Sequence, residues 1–302
     1  MNILSLDGGG VLASHTAVVL DRLETILPGT LAKVDLFAGT SAGGLICLVL
    51  ANGGTTKDVL SVFANSSALF TRDLARRIEA TAGLRSKYDD MGRLSVLTQR
   101  LGDVTLGQIA KPIAIQAFQL DSKPSWRGRL LHNVPSSAAS RWPHCRELAA
   151  VDAGMMTSAA PTYFPTFLGS CDGGVASNDP AMSAVSLALD PTLAWPKPAT
   201  LADVRVFSIG RLYPGDQVDR SNWDAGYLEW LPILLDLLLT SGQSVTSYQC
   251  EQLLGSRYFR HQPLVPEMLN VAIDDAAAVP GLEKWADGLD LSKETAWLRE
   301  NW

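Results

Sequence analysis

A serine framed by glycines, where an apolar strand must reverse into a helix, constrains this chain more than any other feature of its sequence. Val34 to Ala38 reads as a strand and runs into Gly39-Thr40-Ser41-Ala42-Gly43-Gly44. Leu45 to Ala51 then reads as a helix, stopped by Asn52-Gly53-Gly54. Gly39 and Gly43, having no side chains, leave room for the turn, and the turn exposes the Ser41 hydroxyl at the positive end of the helix. Negative charge developing on a nearby oxygen is favoured there. A tight glycine turn without any chemistry would show the same five residues, so the reading depends on what surrounds them.

Around this elbow, strand and helix signals alternate. Ile3 to Leu6 is a short apolar strand, and Ser14 to Leu27 has apolar residues at helical spacing up to Pro28-Gly29. Pro112 to Leu120 and Trp126 to Asn133 read as a hairpin, Arg146 to Met156 as a helix, and Thr166 to Cys171 and Val204 to Ile209 as further strands. From Trp223 onward the pattern is mainly helical. No linker, low-complexity tract or repeat divides the chain. The sequence therefore predicts one domain of α/β class over residues 1–302, with its motifs in about 1–180 and a mainly helical part in about 220–302.

Charge narrows the partner. A formal net charge of -6 over 302 residues argues against nucleic acid, which needs a basic surface. The chain starts Met-Asn-Ile-Leu-Ser-Leu-Asp, with no basic lead into an apolar stretch and no cleavage site, so a cytoplasmic location is the expectation. Cys47, Cys145, Cys171 and Cys250 are scattered and read as reduced, mostly buried thiols. The longest apolar stretch, Tyr227 to Thr240, includes Glu229, Pro232 and Asp236 and falls short of the roughly 20 residues of a membrane span. It reads as a buried helix, or else an interfacial one. Thr56 to Leu101 is helical but more polar. Within it Arg72, Arg76, Arg77, Arg85, Lys87, Arg93 and Arg100 stand against Asp73, Glu79, Asp89 and Asp90, the pattern of a solvated helical face or of a patch that meets anionic lipid head groups.

A second glycine cluster, Asp7-Gly8-Gly9-Gly10, follows the first strand directly. Its backbone N–H groups can approach a ligand closely, as an oxyanion hole or a phosphate site requires. Neither the dinucleotide fingerprint nor the nucleotide-triphosphate loop is present. The serine also needs a base. Ser41, Asp172 and His261 occur in the order of the common hydrolase triad, but that fold places several strands before the elbow and here only one precedes it. Asp172 ends a short strand and opens a Gly-Gly turn, where a carboxylate can reach the face that the elbow shares. Its ordinary pKa near 3.9 makes it a weak base unless hydrogen bonding couples proton transfer to attack.

Taken together, these residues resemble the patatin-like phospholipases. Asp7-Gly8-Gly9-Gly10 looks like that family's glycine-rich oxyanion loop, Gly39-Thr40-Ser41-Ala42-Gly43 like its nucleophile elbow, and Asp172-Gly173-Gly174 with Asn178 and Pro180 like its Asp-Gly-Gly block. Ser158 to Pro165 also resembles the family, as does Ser208-Ile209-Gly210 more faintly. One departure is that the family's loop often continues into a basic residue and a glycine, whereas this chain reads Val11-Leu12-Ala13. The resemblance implies a three-layer α/β/α fold with a mostly parallel central sheet. It also implies a lipid acyl hydrolase with a Ser41–Asp172 dyad, oxyanion donors at Gly8, Gly9 and Gly10, and structural glycines at Gly39, Gly43 and Gly173. The substrate would be a lipid or phospholipid met at a membrane surface, with no metal or organic cofactor. Such motifs are compatible with an activator and specify no oligomeric state. The same loops could instead serve a hydrolase of soluble or neutral-lipid esters, or a non-catalytic module that binds an anionic ligand.

Overall fold

The computed structural model describes residues 1–212, 224, 226–266, 269 and 271–302. Its sheet contains β1 (Asn2–Leu6), β2 (Leu36–Thr40), β3 (Ile113–Gln119), β4 (Arg127–His132), β5 (Ser170–Asp172), β6 (Arg205–Ile209) and β7 (Tyr258–His261). The spatial order is β4-β3-β2-β1-β6-β7. Every neighbouring pair from β3 to β7 is parallel, β4 runs antiparallel to β3, and so does β5. The helices are α1 (Ser14–Ile26), α2 (Ser41–Ala51), α3 (Thr56–Ala64), α4 (Leu74–Thr81), α5 (Met91–Leu101), α6 (Ala150–Thr157), α7 (Gly174–Ser177), α8 (Ala181–Ala188), α9 (Tyr227–Ser241), α10 (Gln243–Leu254), α11 (Val279–Asp287) and α12 (Ser292–Asn301).

Alternate residues of each strand enter opposite layers, as the two-residue period of a strand demands. Leu4, Leu6, Phe37, Ile113, Ile115 and Phe207 join one apolar core with residues of α1, α2, α3, α5, α6, α11 and α12. Ile3, Leu36, Ala38, Ala114 and Val206 join the other with α8 and α10. Because the central strands are covered on both faces they are apolar nearly throughout, which is why β1 and β2 read as short runs rather than alternating patterns. Helix α2 is apolar around almost its whole circumference for the same reason, and every residue except Ser41 and Leu45 is buried.

Several elements differ from their sequence reading. The Thr56 to Leu101 segment is three separate helices joined by a 3-10 turn. Helix α6 begins at Ala150 rather than Arg146, because the preceding residues pair with 104–107 and the Arg146 guanidinium donates to the carbonyls of Asn133 and Gly107 at 3.0 and 3.1 Å. The strand read from Thr166 is confined to Ser170–Asp172, since Leu168 and Gly169 both take positive φ in a tight turn. The C-terminal part contains β7, four residues too short to show a period and flanked by helices. Trp223, where the helical pattern starts in the sequence, lies outside the described residues. In α9, Leu239 is buried but Leu234, Leu237 and Leu238 are exposed, so it is a surface helix and not a buried one. Among the described residues no helix is long and apolar enough to cross a membrane. Cys47, Cys171 and Cys250 are buried free thiols, and Cys145 is partly exposed.

Candidate active site

Sheet register sets Ser41 beside Asp172. Strand β2 pairs with β3 through Thr40 opposite Gln116 and then leaves the sheet as α2. The edge of β3 that it vacates is taken at the next position by β5, with Asp172 opposite Ala117. The serine hydroxyl donates to Asp172 Oδ2 at 2.6 Å. Ser41 itself holds φ at +51°, a left-handed conformation that a non-glycine residue adopts at a cost of roughly 1–3 kcal/mol. Its N–H donates to the Thr157 hydroxyl at 2.9 Å, which anchors the strained turn.

Asp172 is fully buried, and its second oxygen accepts from the Gly174 N–H at 2.8 Å. Burial is the main influence on its carboxyl. It pushes the pKa up to about 6 against the downward pull of the Ser41 hydroxyl, the Gly174 N–H and the Arg93 charge. A carboxylate near 6 is a better base than an ordinary one and is still mostly ionised at neutral pH. Gly173 has to be glycine because a Cβ there would lie 2.3 Å from the Gln116 carbonyl oxygen.

Close backbone approach also brings the first glycine cluster to the elbow. A Cβ on Gly43 would lie 2.3 Å from the Leu6 carbonyl oxygen and one on Gly39 2.6 Å from that of Gly43, so α2 rests directly on the end of β1. The loop after β1 thereby runs past Ser41. A Cβ on Gly8 would lie 2.9 Å from that of Ser41. The Gly8 N–H faces the Asn178 carbonyl at 3.4 Å, whereas those of Gly9 and Gly10 have no partner among the described residues. Gly9, Gly10, Ser41 and Asp172 all line one apolar cavity. Its wall comes from α2, α3 and α5 with Phe70, Tyr163, Phe164, Leu239 and Ile273.

His261 lies elsewhere. Its Nδ1 is 2.7 Å from Glu294 Oε1 in a buried pair, with the His15 ring stacked 6.1 Å away, and no hydrogen bond joins it to Ser41 or Asp172. Arg93, which the sequence placed with the basic helical face, is buried. It ion-pairs with Asp90, donates to the Ser158 hydroxyl at 2.9 Å and covers the Phe164 ring at 3.9 Å.

The patatin-like phospholipase family model matches residues 4–185, which take in the glycine loop, the elbow and the Asp-Gly-Gly block. The chain belongs to the patatin-like phospholipase family. It is 31% identical over 267 residues, 86% of its length and 77% of the relative's, to a "cGAMP-activated phospholipase" of Pseudomonas aeruginosa. It is 29% identical over 218 residues, 62% of its length and 52% of the relative's, to "Patatin-like protein 2" of Oryza sativa subsp. indica. Among solved structures, the ExoU–SpcU complex of the Pseudomonas aeruginosa type III secretion system aligns with a TM-score of 0.40 at 15% identity, over all of this chain and 51% of that one. The chain thus spans about half the length of the rice relative and of that solved chain.

This patatin-like site has supports whose partners no motif marks. Asp7, just before the glycine loop, and Asp179, just after Asn178, are both buried and both bind Arg260 of β7, at 2.6 and 2.9 Å. Arg260 also donates to Ser208 at 2.8 Å and to Gln262 at 2.6 Å. Burial opposes its charge, but the two carboxylates hold the guanidinium protonated. Asn178 Nδ2 donates to the Gly8 carbonyl at 3.1 Å. On the other side the Ile273 carbonyl accepts from Val11 N–H at 2.8 Å, directly behind Gly10, whose φ is +57°. The sequence signal for Arg260 was a lone arginine in a region read as helical; only its strand pairing reveals the role.

Proposed function

We propose that this chain is a lipid acyl hydrolase of phospholipase A type in which Ser41 and Asp172 act as a dyad. The observation that carries the reading is the 2.6 Å hydrogen bond from the Ser41 hydroxyl to a buried carboxylate in the lining of an apolar cavity. Ser41 Oγ attacks the ester carbonyl while its proton passes to Asp172 Oδ2. The resulting oxyanion lies against the N–H groups of Gly9 and Gly10, with Gly8 holding the loop through Asn178 rather than donating. The Ser41 N–H, committed to Thr157, takes no part. Collapse releases the alcohol with the proton from Asp172 and leaves an acyl-enzyme. Water, deprotonated by the same carboxylate, then frees the fatty acid.

The apolar wall suits a fatty acyl chain, and this is what favours a lipid ester over a small soluble one. We read residues 1–302 as one domain, because β7, α11 and α12 complete the same sheet and core as the motif-bearing strands. Mass spectrometry of phospholipid vesicles after incubation tests the reading. The wild type is expected to release fatty acid, Ser41→Ala and Asp172→Asn none, and His261→Ala most of it. Intact lipids with wild-type protein would leave a binding module, and loss of activity in a folded His261→Ala variant would overturn the dyad. Kinship with a cGAMP-activated phospholipase makes cyclic dinucleotides the first activators to add to that assay.

A further inference from the structure

Helix α4 has no buried residue, although it sits between two segments that line the cavity. Its base is fixed. The backbone N–H groups of Lys87 and Tyr88 donate to the carbonyls of Thr162 and Tyr163, both at 2.8 Å, and Arg76 reaches back to the Ser86 hydroxyl and Tyr88 carbonyl at 3.0 and 3.2 Å. The fold therefore holds this helix away from the core rather than failing to hold it.

What it displays is apolar. Seven large apolar side chains among the described residues are more than 60% exposed, and four of them, Leu74, Ile78, Leu84 and Met91, fall in this stretch. Leu74 and Ile78 stand one turn apart on the same face. Exposed Arg72, Arg77 and Arg85 lie among them; Arg77 has no ion pair among the described residues, and Arg85 pairs only with Glu79. Large aliphatic side chains interspersed with arginines match the boundary between acyl chains and anionic head groups. Phe70, just before the stretch, and Arg93, just after it, both line the cavity.

We propose that α4 and the turn leading to Met91 form a membrane-docking surface that seats this side of the protein, next to the cavity wall, on a bilayer containing anionic lipid. This rests on the reading that the cavity accepts a lipid acyl chain. A second copy of the chain fits less well, because its matching surface would oppose like-charged arginines.

The test separates docking from chemistry by using Ser41→Ala protein, which can bind but not hydrolyse. Its co-sedimentation is measured with phosphatidylcholine vesicles containing or lacking phosphatidylglycerol. Binding is expected to be tighter with phosphatidylglycerol and to fall about tenfold or more in Leu74→Glu/Ile78→Glu, with a similar fall in Leu84→Glu as an independent variant. In the active background the same changes are expected to lower vesicle hydrolysis while leaving the melting temperature and short-chain ester hydrolysis unchanged. Undiminished vesicle binding by these variants, or no binding by Ser41→Ala protein, overturns the docking surface whatever the enzyme hydrolyses. A dimer that the substitutions dissociate without loss of vesicle binding would mark the face as a self-interface instead. Vesicle binding without any lipid hydrolysis by the wild type would leave docking intact and remove the hydrolase reading.

Discussion

Ser41 and Asp172 are held by the sheet, whereas the glycine loop beside them is held by residues that arrive from far along the chain. The dyad follows from register: β2 ends, β5 takes its place on β3, and the two side chains meet at 2.6 Å. The loop has no such template. Its conformation depends on Asn178 and Ile273, and on Asp7 pairing with Arg260 of the edge strand β7. A site can thus have one half fixed by backbone pairing and the other by buried polar contacts. The two halves should fail differently when altered.

The dyad should give the larger and simpler losses. Ser41→Ala and Asp172→Asn are each expected to reduce kcat for acyl release by about 10⁴-fold or more, and the double variant little further, since the proposed mechanism uses the two as one unit. Steady-state rates on a phospholipid and on a short-chain ester check this; clearly multiplicative losses would mean that the residues work independently. Gly10→Ala addresses the other half. Its Cβ would lie 2.1 Å from the Ile273 carbonyl oxygen at a φ of +57°, so the loop must shift and its donors move with it. The expected loss in kcat is about 10²–10³-fold. The acid limb of the pH–rate profile should stay where it is, because Asp172 is untouched.

Legibility in the sequence divides along the same line. Ser41, Gly39, Gly43, Asp172 and Gly173 lie in short local patterns, where a glycine is required by the approach of a neighbouring backbone and the order of residues records that requirement. The central strands were legible for a similar reason, since strands buried on both faces are apolar runs. Arg260, Thr157 and Ile273 act through partners dozens to more than two hundred residues away, and nothing adjacent to them records it. Arg93 was misread on a physical ground: a cation among other charges usually faces water, and here Asp90, Ser158 and an aromatic ring replace the solvent. Arg260→Met probes this hidden layer. It leaves Asp7 and Asp179 in the interior without their shared ion pair, which is expected to cost about 3–5 kcal/mol of stability. Burial already pushes both carboxyls up, and the Asp7 charge pushes Asp179 further, so the melting-temperature deficit of the variant should shrink as pH falls and they take up protons. A deficit independent of pH would mean that Arg260 acts by packing alone.

The smallest expected effect is the one in which the Ser41–Asp172 half of the site works against the fold. Asp172 is buried and its pKa is raised to about 6, so the native state binds its proton more tightly than the unfolded chain does. The sign follows from linkage: where the native state holds more protons, stability falls as pH rises, here across the interval from the ordinary carboxylate value near 3.9 to about 6. Above that interval the ionised carboxylate is a standing cost of about 1–3 kcal/mol. Asp172→Asn removes the charge but keeps the shape, and is therefore expected to melt above the wild type at pH 7, by roughly half as much at pH 5, and close to it only near pH 4. The wild-type kcat/KM should meanwhile fall tenfold per pH unit below about 6, as the base is lost. Thermal scans of the two proteins at these pH values, set beside that rate profile, join the stability and the chemistry to one titration. A melting difference that does not change with pH would detach them, and would place the stabilisation of the loop and of the dyad on the same footing.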